Sequence, residues 1–82
     1  MYYVYLLESR PKPGARYVGF STDLRHRIAD HNGGKLPNTA RYRPWRLATY
    51  LAFSSKRQAL AFEAHIKSGS GHAFVRRWLW PP

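Results

Sequence analysis

The chain has 82 residues, no cysteine, and 14 Lys and Arg against 4 Asp and Glu, a formal charge of +10. That length holds one domain with a thin core, and the lack of cysteine excludes disulfides and thiolate metal sites, as in a protein of the reducing cytoplasm. So basic a chain attracts polyanions, nucleic acid first among them, although a ribosome-associated or membrane-surface role also explains the charge.

No apolar run reaches the roughly 18–20 residues of a membrane-spanning helix, and no signal peptide is expected at the N-terminus. Apolar residues at 44% and aromatic residues at 16% fit a folded domain rather than a disordered chain. Residues 1–8 read as a strand, with Tyr3, Tyr5 and Leu7 on one face and Tyr2, Val4 and Leu6 on the other. Residues 9–15 hold two prolines and a glycine and so form a turn. A second strand follows from Arg16, broken at Gly19, and a hairpin brings Tyr5 and Tyr17 to the same part of the sheet. Ser21 or Thr22 is expected to cap a helix, with Asp23 in its first turn. On that helix Leu24, Ile28 and His31 share an inward face, and Arg27 lies on the same side.

Asn32, Gly33 and Gly34 end the helix, and residues 35–44 form a basic loop. A third strand is expected over residues 46–53. Ser55 and Gln58 then have the spacing of a capping box for a helix running to about Lys67. Residues 68–71 break that helix, and residues 72–80 are short, basic and aromatic, suited to a last helix. The order is therefore ββαβα(α), an α+β arrangement in a single domain over residues 1–82.

Glu63 is the most informative residue, because it shares the inward face of its helix with Ala59, Phe62 and Ile66. A carboxylate there costs free energy unless a cation pairs with it or a metal binds it. A structural ion pair to an arginine satisfies it as well as a catalytic role does. Arg27 can simply snorkel, His31 can serve the helix C-terminus, and Tyr5 and Tyr17 are ordinary strand residues. Taken together, two phenols, a guanidinium, an imidazole and one carboxylate suit phosphodiester hydrolysis with a single hard metal ion.

At these residues the chain resembles the GIY-YIG nucleases over nearly its whole length. Tyr3-Val4-Tyr5 and Tyr17-Val18-Gly19 match the two naming motifs. Thr22-Asp23-Leu24 with Arg27 and His31 matches the helix motif, and His31-Asn32-Gly33-Gly34 its exit. Pro44-Trp45, Ala59, Glu63 and Ile66-Lys67 continue the match, and residues 67–71 resemble the end of small stand-alone bacterial members. Those members are similar to the nuclease domain of the excision-repair subunit, and the motifs also resemble those of the junction-cutting branch. Two departures stand out: Tyr3 replaces the glycine of the family's name, and the late asparagine of many members is missing, with Ser68 or Ser70 in its place.

The resemblance implies a three-stranded antiparallel sheet flanked by helices. It also implies one divalent ion, Mg²⁺ or Mn²⁺, on Glu63, with Arg27 stabilising the transition state. Tyr17 would be the base or orient the attacking water, Tyr5 would hydrogen-bond the phosphate or the base, and His31 is the alternative base. Lys35, Thr39, Arg41, Arg43, Arg46 and Lys67 are expected to hold nucleic acid, with Lys56, Arg57, Arg76 and Arg77 as further cations. Trp45, Trp78 and Trp80 either stack bases or sit in the core.

The expected function is metal-dependent DNA endonuclease or nickase activity of a repair or recombination type. The expected substrate is DNA with branches, flaps or single strands, with a protein partner directing specificity, in a monomer or weak dimer away from membranes. The alternative is a non-catalytic nucleic-acid-binding module on the same scaffold.

Overall fold

The computed structural model describes residues 1–81. Strand β1 (Tyr2–Ser9) lies between β2 (Arg16–Ser21) and β3 (Trp45–Phe53), antiparallel to both. Helix α1 (Leu24–Asn32) and the short α2 (Pro37–Ala40) join β2 to β3, and α3 (Lys56–Lys67) follows β3. A 3₁₀ turn (Gly69–Gly71) then leads into α4 (His72–Phe74), which continues as a π-helical turn (Val75–Leu79). No helix among the described residues is long and apolar enough to cross a membrane.

The period-2 alternation of β1 divides the interior in two. On one face Val4 and Leu6 pack with Ala59 and Ile66 of α3 and with Val75 and Leu79 of the C-terminal segment. On the other face Tyr5 and Leu7 pack with Trp45, backed by Tyr17, Leu24, Ile28, Tyr42 and Leu47. Both faces of β1 are therefore covered, which is why four consecutive residues from Val4 to Leu7 are essentially fully buried. Burying a side chain of this kind contributes roughly 1.5–3 kcal/mol.

The helix boundaries follow from local chemistry. Ser55 caps α3, its hydroxyl accepting from the Gln58 N–H at 3.2 Å, as the sequence spacing predicts. At the start of α1 the cap is Asp23 rather than Ser21 or Thr22: its carboxylate accepts the His26 N–H at 3.1 Å. Ser21 instead closes the end of β2, its hydroxyl bonded to the backbone of Asp23. Gly34, at φ +76°, supplies the left-handed turn that lets the chain leave α1.

Three further boundaries differ from expectation. Gly19 does not interrupt β2; it pairs with Tyr5 in the middle of the ladder. The basic loop contains α2, opened by Pro37 in the first turn. Strand β3 begins at Trp45, and a shift of register between Leu6 and Leu7 leaves Ala48 unpaired.

If Asp23 is the cap, Asp23→Ala lowers the unfolding free energy by about 0.5–2 kcal/mol. Thr22→Ala, at an exposed position, changes it by no more than about 0.5 kcal/mol in urea denaturation. Equal losses from the two substitutions would contradict the assignment.

Candidate active site

Tyr5 stands at the centre of β1 with Gly19 as its partner on β2. A Cβ at residue 19 would lie 2.4 Å from the Tyr5 ring and hydroxyl, so only glycine leaves room for the phenol. Tyr17, two residues earlier on β2, packs its ring 6.2 Å from that of Tyr5. The diagonal placement of the two phenols is a direct product of the hairpin register.

His31 reaches this pair from the last turn of α1. Its ring centroid lies 5.6 Å from that of Tyr5 and 4.9 Å from that of Tyr17. Its Nε2 is hydrogen-bonded to the Tyr5 hydroxyl at 2.8 Å and its Nδ1 to the Thr39 hydroxyl at 2.7 Å. The chain Tyr5–His31–Thr39 is buried throughout, with His31 fully inaccessible. Two proton orders satisfy it: Tyr5 donates to Nε2 while Nδ1–H donates to Thr39, or each bond runs the other way. In both orders neither ring nitrogen is left for solvent.

The electrostatics keep this chain neutral. Burial lowers the His31 pKa below the ordinary imidazole value, the Arg27 guanidinium lowers it further, and Asp30 opposes the shift. Burial raises the Tyr5 pKa well above that of an ordinary phenol; Tyr17 and Glu63 add to the shift and Arg27 opposes it. Each group is therefore held in its uncharged form at neutral pH.

Thr39 is itself fixed at both ends. The indole N–H of Trp45 donates to its carbonyl at 2.8 Å, and Trp45 is in turn bound by the Asn32 side chain. Asn32 accepts the Trp45 N–H at 2.6 Å and donates to the Trp45 carbonyl at 3.3 Å, tying the end of α1 to the start of β3. Thr39, expected on the nucleic-acid surface, thus belongs to the interior of the site at 1% exposure. Sequence reasoning missed its bond to His31 because eight residues separate them and only the α2 turn brings them together. Trp45 is core rather than a stacking surface.

Arg27 lies one turn before His31 on the same half-buried face, near enough to influence both Tyr5 and His31. Among the described residues no carboxylate pairs with it. Glu63 is on the inward face of α3 with its side chain 18% exposed, paired with Lys67 at 3.0 Å. Its partner is a lysine one turn away on the same helix rather than an arginine.

Two other expected nucleic-acid contacts are engaged within the protein. Arg46 bonds Glu8 at 2.6 Å, and Lys35 stands 3.9 Å from Asp30. Glu8 also holds Arg16 at 3.3 Å, and its hydrogen bond to Arg46 is the chief cause of its lowered pKa. One carboxylate between two guanidiniums still leaves a net positive group. Arg41 lies over the Tyr42 ring, and the Arg43 guanidinium covers Gly34.

No group of three or more His, Cys, Asp or Glu side chains that could hold a metal is found among the described residues. The donor set instead offers one hard carboxylate oxygen ligand, Glu63, which suits Mg²⁺ or Mn²⁺ when water and substrate phosphate complete the shell. An ion bound there would compete with Lys67 for the carboxylate.

Comparisons with other proteins place the fold in a family. The family model described as the GIY-YIG catalytic domain matches residues 1–74. The chain belongs to the GIY-YIG family. A UPF0213 protein of Streptococcus pneumoniae is 42% identical over 66 residues, covering 79% of this chain and 65% of that one. A UPF0213 protein of Streptococcus pyogenes serotype M5 is 44% identical over 66 residues, covering 79% of this chain and 70% of the relative. The chain thus spans a little under two thirds of the length of the pneumococcal relative. The solution structure of a UPF0213 protein from Bacillus halodurans is 35% identical, with a TM-score of 0.59 over 100% of this chain and 89% of that one. The same fold recurs there.

Because the Tyr5 phenol rests on Gly19, Gly19→Ala displaces Tyr5 from His31 and loosens the site. The expected cost is about 1–3 kcal/mol in urea denaturation, the range for overpacking. Full retention of wild-type stability would show that the phenol is not held this way.

Proposed function

We propose that the protein is a divalent-metal-dependent endonuclease that hydrolyses DNA phosphodiester bonds. The observation that carries the proposal is the half-buried Arg27, without a carboxylate partner among the described residues, beside the Tyr5–Tyr17–His31 cluster. A guanidinium confined without a counter-ion in a strongly basic domain is suited to an anion supplied from outside, and a phosphate fits.

Three side chains meet the substrate in this reading. Arg27 neutralises the charge that develops on the equatorial phosphate oxygens. Glu63 would hold the divalent ion, which when bound would supply further charge neutralisation at the phosphate. Tyr17, half-buried and lining an open cleft, orients the attacking water or accepts its proton. His31 has no open nitrogen, so its part, like that of Tyr5, is to fix Tyr17 and Arg27 rather than to take the proton from water. Thr39 holds the imidazole in place.

Lys35, Arg41 and Arg43, on the connection between α1 and β3, give the surface a sequence-independent attraction for the phosphate backbone. None of the elements among the described residues has the form of a base-reading helix, so recognition by DNA form suits this protein, and activity in repair or recombination fits that mode of recognition. A binding module without catalysis is the second reading, favoured by one observation: the Glu63–Lys67 ion pair satisfies the carboxylate with no metal.

The test is incubation with supercoiled plasmid and Mg²⁺ or Mn²⁺, with EDTA as control. Nicking by the wild type is expected, with a loss of about 10²–10³ for Arg27→Ala. Glu63→Gln is expected to remove activity while leaving DNA binding intact. Equal cutting by wild type and Glu63→Gln would remove Glu63 from the mechanism. Salt-sensitive binding without cleavage on plasmid, branched and single-stranded substrates would favour the binding module.

A further inference from the structure

Tyr17 borders a cleft whose other walls take no part in the chemistry above. Between the edge of β2 and the C-terminal segment runs a cleft of about 610 Å³, whose lining includes Arg16, Tyr17, Lys67, His72, Arg76 and Trp80. No aspartate or glutamate lines it. Its cations come from three separate elements: Arg16 from β2, Lys67 from the end of α3 and Arg76 from the π-helical turn. Its apolar floor is continuous with the core through Ile66 and Val75.

Two contacts shape the cleft for a particular ligand. The Arg16 guanidinium lies over the Trp80 ring, 4.6 Å from its centroid, and Glu8 anchors the same guanidinium at 3.3 Å. A guanidinium held over an indole and anchored by a carboxylate is a platform for a flat, electron-rich group. Arg76 and His72, both exposed, lie on the same cleft as cationic or hydrogen-bonding partners for a phosphate. Much of this wall, Val75 to Trp80, lies beyond the residues matched by the family model, which ends at residue 74.

We propose that this cleft receives unpaired nucleotides next to the scissile phosphate, a base stacking on the Arg16–Trp80 platform and backbone phosphate meeting Arg76. Base faces are hidden by their neighbours inside a duplex and open in a single strand, so an aromatic platform selects unpaired nucleotides. Because Tyr17 lines both the cleft and the cluster around His31, a strand lying in the cleft leads to the phosphate held by Arg27. The inference rests on the nuclease reading for the identity of that phosphate, and it specifies the substrate as a flap, end or other single-stranded form.

The test is fluorescence anisotropy in EDTA, where no metal-dependent cutting occurs, with a labelled oligothymidine and a duplex of equal length. Arg76→Ala and Trp80→Leu are compared with the wild type, and thermal unfolding verifies that both variants are folded. For Arg76→Ala the salt slope of oligothymidine binding falls by about 0.7, as expected for one lost phosphate contact on a single strand. For Trp80→Leu its affinity falls by at least about fivefold, the lower end for loss of one stacked base. Duplex binding changes less than about twofold in both variants.

Folded variants that bind oligothymidine like the wild type, or that lose duplex and single strand equally, would overturn the cleft assignment and leave the nuclease reading standing. A wild type that binds neither ligand would overturn both. Selective single-strand binding without cleavage under any metal condition would overturn the nuclease reading alone.

Discussion

The hydrogen bond between Tyr5 and His31 is the constraint on which the rest of the site depends. It joins the central strand to the last turn of α1 across the interior, and both partners are buried. A buried polar pair left half-made costs about 1–3 kcal/mol, so each surrounding element is arranged to complete it. Gly19 makes room for the phenol, Thr39 satisfies the far nitrogen, and Trp45 with Asn32 holds Thr39 and the helix end in position. No buried side-chain nitrogen or oxygen among the described residues is left without a partner. The same bonds that stabilise this face of the sheet also fix the rings around which Tyr17 and Arg27 are placed.

Charge is distributed to complement that neutral interior. With only four carboxylates in the chain, each is committed: Glu8 to two arginines, Asp23 to a helix cap, Asp30 to His26 and Lys35, and Glu63 to Lys67. Among the described residues the remaining cations have no internal counter-charge, and they give the surface its field for polyanions. Glu63 differs from the others in that its partner Lys67 also lines the cleft beside Tyr17. Loss of that pair to a metal ion would release a lysine toward the strand that the cleft is proposed to hold.

Much of this was legible in the sequence where the determinants are local. The order of strands and helices, the inward faces of α1 and α3, and the Ser55 cap follow from periodicity and from side chains within a few residues of one another. The resemblance to GIY-YIG nucleases is confirmed by the family match, and the three-stranded antiparallel sheet it implied is observed. What escaped was decided by contacts distant in sequence. Gly19 reads as a strand break in isolation and becomes the seat of a phenol only once β1 is paired beside it. Thr39 reads as a polar loop residue, and its bond to His31 exists because a single turn of α2 folds it inward. Asp23 displaced Ser21 as helix cap because Ser21 is drawn into the β2 ladder opposite Tyr3.

The central claim is that a buried, uncharged Tyr5–His31–Thr39 chain organises the site. The most direct measurement is a pH titration of the His31 ring nitrogens by ¹⁵N nuclear magnetic resonance. The account predicts one protonated and one bare nitrogen, unchanged through the region near ~6.5 where a solvated imidazole titrates. If both nitrogens shift together to the imidazolium position across that region, His31 is not held neutral by Tyr5 and Thr39. The site would then have to be organised around a charged histidine.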